Sequence, residues 1–449
     1  MRRFAPLLML CTALVGCDDL SDSLGSQGAF QTLHAVPDLQ ATTFFIRETP
    51  FATLDYIGNT GLLLVGTGSY PFRYEVRRPG ETELDTLLSV NVAVESNIEY
   101  TYVLTGTAAA LEFTTWEAAA RAFADDSILA TQYGHAAQGF GPLDFYLEAP
   151  GANLPGATPR ASLAYQEQVA DVDVPPGDYV LTITTQGQVG DVRFQSATFT
   201  LTARTNLLFA VLSGADQGTA PLLVRVLGDP FIVTLQDQNS SPGLRAAHSV
   251  FNTGAVDFVV DDNFGSPLIS DVAFKEVTAG DPSPVTGLEV PLDVTPTGDP
   301  GMSLVEDTLV LENGVAYSLY YVGVPDSLSA VQLLDDSRRL AEFAKFRIFE
   351  GAANYFAVDV YFVEPGEDYR NFFPSISGLA FGNDTGYLEL SPDVYDIVFT
   401  PNGAPDTIIA QLQNQDLVGT GLYSILIVDT DDANVAELVF YDDVPAVVP

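Results

Sequence analysis

Along most of this chain apolar and polar residues alternate in short runs, and Gly, Pro, Asn and Asp interrupt the runs. Such alternation marks half-buried β-strands, because successive side chains point to opposite faces of a sheet. The stretches "VAVESNIEYTYVLTG" (92–106), "FTLTARTNLLFAVLSG" (199–214), "LVLENGVAYSLYYVG" (309–323) and "VGTGLYSILIVDT" (418–430) each read as a hairpin closing on an aromatic strand. Amphipathic runs of helical length are nearly absent. One segment, "TTWEAAARAFADD" (114–126), predicts a single helix.

The strand pattern itself recurs. His34 stands in "TLHAVPD", His135 in "YGHAAQ" and His248 in "AAHSVF". The same short step that leads from His135 to Asp144 leads from His248 to Asp257, and from His34 to Thr43. A fourth copy, "FRIFEGAANYFAVDVYFVE", puts Glu350 in the histidine's place and Asp359 in the aspartate's. Three copies close on an acidic pair: Asp125-Asp126, Asp335-Asp336 and Asp442-Asp443. A unit of about 100 residues with about seven short strands has the size of an immunoglobulin-like sandwich, and is too long for a propeller blade. The expected fold class is all-β: about four tandem immunoglobulin-like β-sandwich domains, over 30–125, 126–238, 241–337 and 338–445. With a radius of gyration of about 13 Å each, four domains strung end to end would reach somewhat more than about 100 Å. An outer-membrane barrel is the rival architecture. On a barrel a lipid anchor would be redundant, and "PAVVP" is not the closing aromatic strand a barrel expects.

Charge narrows the partners. The 449 residues hold 59 Asp and Glu against 18 Lys and Arg, a net charge of −41, while 47% are hydrophobic. The chain can therefore build cores, and its surface repels phosphate backbones, which excludes nucleic acid as a partner. Acidity of this degree favours solubility, tolerance of salt, or divalent cations.

The start, "MRRFAPLLMLCTALVGC", has a basic end and an apolar run too short to span a bilayer, as a secretory signal does. Its last residues, L-V-G-C, resemble the bacterial lipobox. That resemblance implies a signal over 1–16, acylation at Cys17, and a membrane association through this N-terminal lipid alone. Residues 17–29 read as the lipidated cysteine and a flexible tether. With Cys11 removed and Cys17 acylated, no thiol remains for a disulfide, a metal or a nucleophile.

The stretch "LHAVPDLQATTFFI" resembles a family of secreted bacterial β-sandwich repeats catalogued as domain of unknown function four-three-nine-seven. Its signature reads approximately V-H-A-S-P-D-A-P-x-V-D-V-Y-V. The matching residues are His34, Ala35, Pro37 and Asp38, then Asp144 and Tyr146, "VDF" (256–258) and "VDVYF" (358–362). The resemblance implies a sandwich fold and an envelope or extracellular location, and supplies no activity.

Zinc needs three or four ligands converging on one point. One histidine per domain favours a structural role for His34, His135 and His248, with the ring bonded to loop backbone or to the aspartate nearby. Metal ligation and binding at a domain tip are the alternatives. "VDTDDAN" places Asp429, Asp431, Asp432 and Asn434 on one turn, an oxygen-rich pattern that calcium selects. The acidic pairs at the repeat ends invite the same cation at the joints. A solvated acidic turn is the competing reading. No G-x-S-x-G or H-E-x-x-H motif occurs, so catalysis is not expected. The expected function is a non-catalytic lipoprotein of a Gram-negative envelope, a spacer or binding rod for an unknown envelope protein or polysaccharide. Its rival is a calcium-dependent binding module at the cell surface.

Overall fold

The computed structural model describes residues 26–443, apart from 122, 124–125, 215–218, 229–231 and 279. The signal, Cys17, most of the tether and Asp125 lie outside the described residues. The first repeat runs β1 (Gln27–His34), β2 (Thr42–Ile46), β3 (Thr49–Leu54), β4 (Leu63–Gly66), β5 (Gly68–Arg77), β6 (Leu84–Val94), β7 (Ile98–Thr107) and β8 (Ala110–Ala119). Two four-stranded sheets result, ordered β4-β1-β7-β8 and β3-β2-β5-β6. They enclose an aromatic core that includes Phe30, Phe44, Phe72, Tyr74 and Tyr102.

β1 lies parallel to β7 and every other pairing in this repeat is antiparallel. Residues 243–334 and 344–442 repeat this order strand for strand, and 129–235 repeats it with a fifth strand added to each sheet. The fold is thus all-β and built of tandem sandwiches, each with at least eight strands where about seven were expected. Among the described residues all eight sheets are open, with two edges each, whereas a barrel has none.

Two sequence expectations fail locally. The predicted helix at 114–126 is mostly strand, since β8 pairs with β7 from Ala110 to Ala119. Trp116 and Ala118 are buried and Glu117 is exposed, so packing of the alternating face overrides alanine's helix propensity. The tether was expected to extend to residue 29, yet β1 begins at Gln27. Gly28 looks like linker composition, but a Cβ there would lie 2.3 Å from the Glu95 carbonyl oxygen. Close backbone approach, not flexibility, requires that glycine.

The end-to-end arrangement is also corrected. The β1-containing sheet of the first repeat packs face to face on the corresponding sheet of the second, through Leu33, Val103 and Trp116 against Leu208, Ala210 and Leu223. The third and fourth repeats pair in the same way, through Ala247, Tyr320 and Val322 against Phe349, Leu426 and Val428. The connector after the third repeat then grips the first. Arg338 donates to the Leu39 carbonyl at 3.1 Å and to Asp55 at 2.8 Å. First strands that were expected to be buried on one side are buried on both, and two-sided burial stacks the sandwiches instead of stringing them out.

Candidate functional site

All four repeat landmarks end the first strand of their repeat. Each landmark's backbone closes the same pair of hydrogen bonds with a loop. The Ile57 N–H donates to the His34 carbonyl at 2.9 Å, that of Gln166 to His135 at 2.6 Å, that of Lys275 to His248 at 2.8 Å, and that of Gly382 to Glu350 at 2.8 Å. All four donors sit in the left-handed region, with φ of 62°, 71°, 72° and 76°. Only the fourth repeat uses the residue that prefers that conformation.

The side chains follow the same plan. Nδ1 of His135 accepts the Ala137 N–H at 3.2 Å, and its Nε2 lies 3.1 Å from the Gly141 carbonyl. Nδ1 of His248 accepts the Val250 N–H at 3.2 Å, with Nε2 3.0 Å from the Gly254 carbonyl. His34 accepts from Val36 at 3.4 Å and meets the Thr42 hydroxyl at 3.3 Å. Glu350 copies half of this, as its Oε1 accepts the Ala352 N–H at 2.9 Å. Its Oε2 is buried without a partner.

A neutral imidazole accepts at one nitrogen and donates at the other, and burial keeps these rings neutral. It pushes His34 down to about 4 and lowers His135 and His248. Burial, with Asp429 nearby, raises the Glu350 carboxyl well above its usual range.

The aspartates do a separate job and do not bond the histidines. Asp144 accepts from the Gly187 N–H at 2.7 Å, and Asp257 from the Asp271 N–H at 2.7 Å and the Thr297 hydroxyl at 2.9 Å. Asp359 takes four bonds, from Ser377, Gly378, Asn402 and Gly403. Those donors hold its carboxyl below the usual range against the opposing effect of burial. In the first repeat Thr43 has only a 3.4 Å contact with Thr53.

The calcium turn is not assembled as a cation site. Asp429 is buried and accepts the N–H groups of Ala353 at 2.9 Å and Asn354 at 3.1 Å. Asp431, Asp432 and Asn434 are exposed, and Asp432 is engaged by Asn434 at 2.9 and 3.0 Å. Among the described residues no group of three or more His, Cys, Asp or Glu is placed to hold a metal. The acidic pairs likewise meet cationic side chains.

Asp335 accepts from Arg245 at 2.7 Å and from Arg347 of the next repeat at 2.9 Å. Ser318 adds a bond at 2.8 Å. Asp443 accepts from Ser424 at 2.6 Å and from Tyr387, and the Asp443 carbonyl accepts from Arg245. Arg245 and Arg347 each stand three residues before their landmark, opposite Ser318 and Ser424 in register. The corresponding positions of the first pair are Gln31 and Gln132. The sequence reading missed this buried ionic joint. Its signal was an arginine three residues before the landmark on the first strands of the third and fourth repeats.

The stacked face of the first pair is closed differently. Trp116 donates from Nε1 to the Gln166 carbonyl at 2.9 Å. A Cβ on Gly134 would lie 2.6 Å from its indole. An open groove of about 560 Å³ runs beside the second joint, lined by Val331, Leu333, Leu379 and residues 382–385.

With this geometry in view, the comparison with known families is decisive for one part of the chain. Residues 242–361 match the family described as Domain of unknown function (DUF4397). The match begins just before the strand Gly243–His248 and ends within Ala357–Val363. It therefore contains the His248 and Asp257 landmarks and the buried Arg245–Asp335 pair. No curated protein matches the chain. The solved structure of the Bacillus anthracis TIE protein aligns over 91% of this chain and 70% of its own, at 11% identity and a TM-score of 0.13. A score that low bears on neither fold nor function.

Proposed function

We propose that this DUF4397-containing chain is a non-catalytic lipoprotein of a Gram-negative cell envelope, a compact block of β-sandwiches that spaces or presents binding surfaces to an envelope protein or polysaccharide. The observation that carries the reading is the use of its chemically capable side chains. The landmark histidines and aspartates are spent on loop backbone, and the buried arginines on carboxylates and carbonyls at the joints. The lipobox-like L-V-G-C supports anchorage through Cys17. Stacked repeats give the block breadth in place of reach, which suits a platform better than a thin rod.

Fractionation of cells carrying the native chain and C17S, with metabolic acyl labelling, tests the anchor. Label and membrane association are expected to disappear together in C17S. Persistent membrane association of C17S would overturn the anchor. Pull-down with purified envelope polysaccharide tests the presented surface, and turnover of that polymer by the purified chain would overturn the non-catalytic reading.

A further inference from the structure

Two of the 18 basic residues are lysines, Lys275 and Lys345. Lys275 is partly exposed, while the Lys345 side chain is only 4% exposed. The other buried cations at the joints, Arg245, Arg338 and Arg347, are guanidinium groups that do not give up their proton. An amine can, and after losing a proton it is a nucleophile. Lys345 Nζ lies 2.7 Å from Asp336 Oδ2. It is held there by the Asp336 carbonyl at 2.7 Å and the Arg338 carbonyl at 3.0 Å. Glu389 stands opposite Lys345 in the strand register, at the solvent-facing rim. Directly opposed residues of an antiparallel pair share a face, with Cβ atoms about 5 Å apart. The Tyr387 ring covers the amine at 4.9 Å.

We propose that Lys345 and Asp336 are the two halves of an intramolecular isopeptide bond, with Glu389 as the proton carrier. Nζ bonds to the Asp336 side-chain carbonyl carbon, and one carbon–oxygen bond of that carboxyl breaks. The ammonium gives up two of its three protons, which leave with the departing oxygen as water. The ion pair becomes an amide, and no oxidant, reductant or further reactant is consumed. Glu389 relays one proton from nitrogen to the leaving oxygen. Burial lowers the lysine's proton affinity. Partial burial and the Asp55 carboxylate raise that of Glu389, so both depart from their usual values in the direction the step needs. The bond closes the connector that carries Arg338 into the first repeat.

Intact-mass spectrometry of the purified chain, with a tryptic map of the denatured protein, tests this. The expected result is a mass lighter by one water, protection from trypsin after Lys345, and a branched peptide joining 336 to 345. K345R, which keeps the charge, is expected at full mass. D336N is expected to lose ammonia in place of water and reach the same linked mass as the native chain. A native chain at full mass and cleaved after Lys345 would overturn the proposal. A native-like linking rate in E389Q would remove the glutamate's part.

Discussion

Glu350 permits a test of the landmark geometry in which the sign of a pH effect is fixed in advance. Its carboxyl is buried, accepts one backbone N–H, and leaves Oε2 without a partner. Folding therefore favours the protonated acid, whose Oε1 still accepts the Ala352 N–H. The folded value stands well above the ordinary 4.5. A group whose folded value is raised contributes its full stability below the unfolded value, and loses it as pH rises toward the folded one. Over that window the fourth repeat should weaken by about 1.4 kcal/mol per pH unit. E350Q keeps the shape and cannot ionise, so it should abolish this slope while changing stability at pH 5 by no more than about 1 kcal/mol. E350A leaves the Ala352 N–H unsatisfied and should cost about 1–3 kcal/mol at any pH. Calorimetric melts at pH 5 and pH 8, with hydrogen exchange of residues 351–356 to identify the fourth repeat, supply the readout. Parallel pH dependence in the native chain and E350Q would refute the neutral-acid argument.

The histidine repeats carry the opposite sign. His34 is held down to about 4 against an ordinary 6.5, so its stabilisation should be complete above 6.5 and decline by about 1.4 kcal/mol per unit as pH falls from there to about 4. H34Q should flatten that decline in acid melts. At the second joint, D335A leaves Arg245 and Arg347 buried without their shared carboxylate. It should destabilise the third and fourth repeats by about 3–5 kcal/mol in urea titrations, with little effect on exchange in the first two. At the loop donors, Gly382→Ala should destabilise the fourth repeat by about 1 kcal/mol or more, because φ 76° strains a residue that carries a Cβ. An unchanged melting temperature of the fourth repeat in G382A would count against that strain.

How far the sequence could be read depends on which face a residue lines. Interior-facing alternation was legible, and so were the landmark at the end of each first strand and the aspartate of the following strand, because turn chemistry at those positions repeats. The outer faces of the β1-type sheets were not. "LATQYGH" and "AKFRIFE" are buried along their whole length, which periodicity alone does not distinguish from irregular strand. Arg347 reads as solvent-facing until the preceding repeat is laid on it. The acidic turn at 428–434 shows the same dependence on face. Asp429 and Asp432 lie three residues apart, yet one points into the core and the other into water.

The Trp116 contact has a practical corollary. The chain holds one tryptophan, and it lies between the first two repeats against the bare backbone of Gly134. Selectively excited tryptophan fluorescence is thus a private channel from that seam, and an unfolding curve recorded with it describes the first seam alone. The third and fourth repeats are silent in such an experiment. A tryptophan placed at Phe349, stacked on Tyr320 at 4.1 Å, would give the second seam a voice of its own.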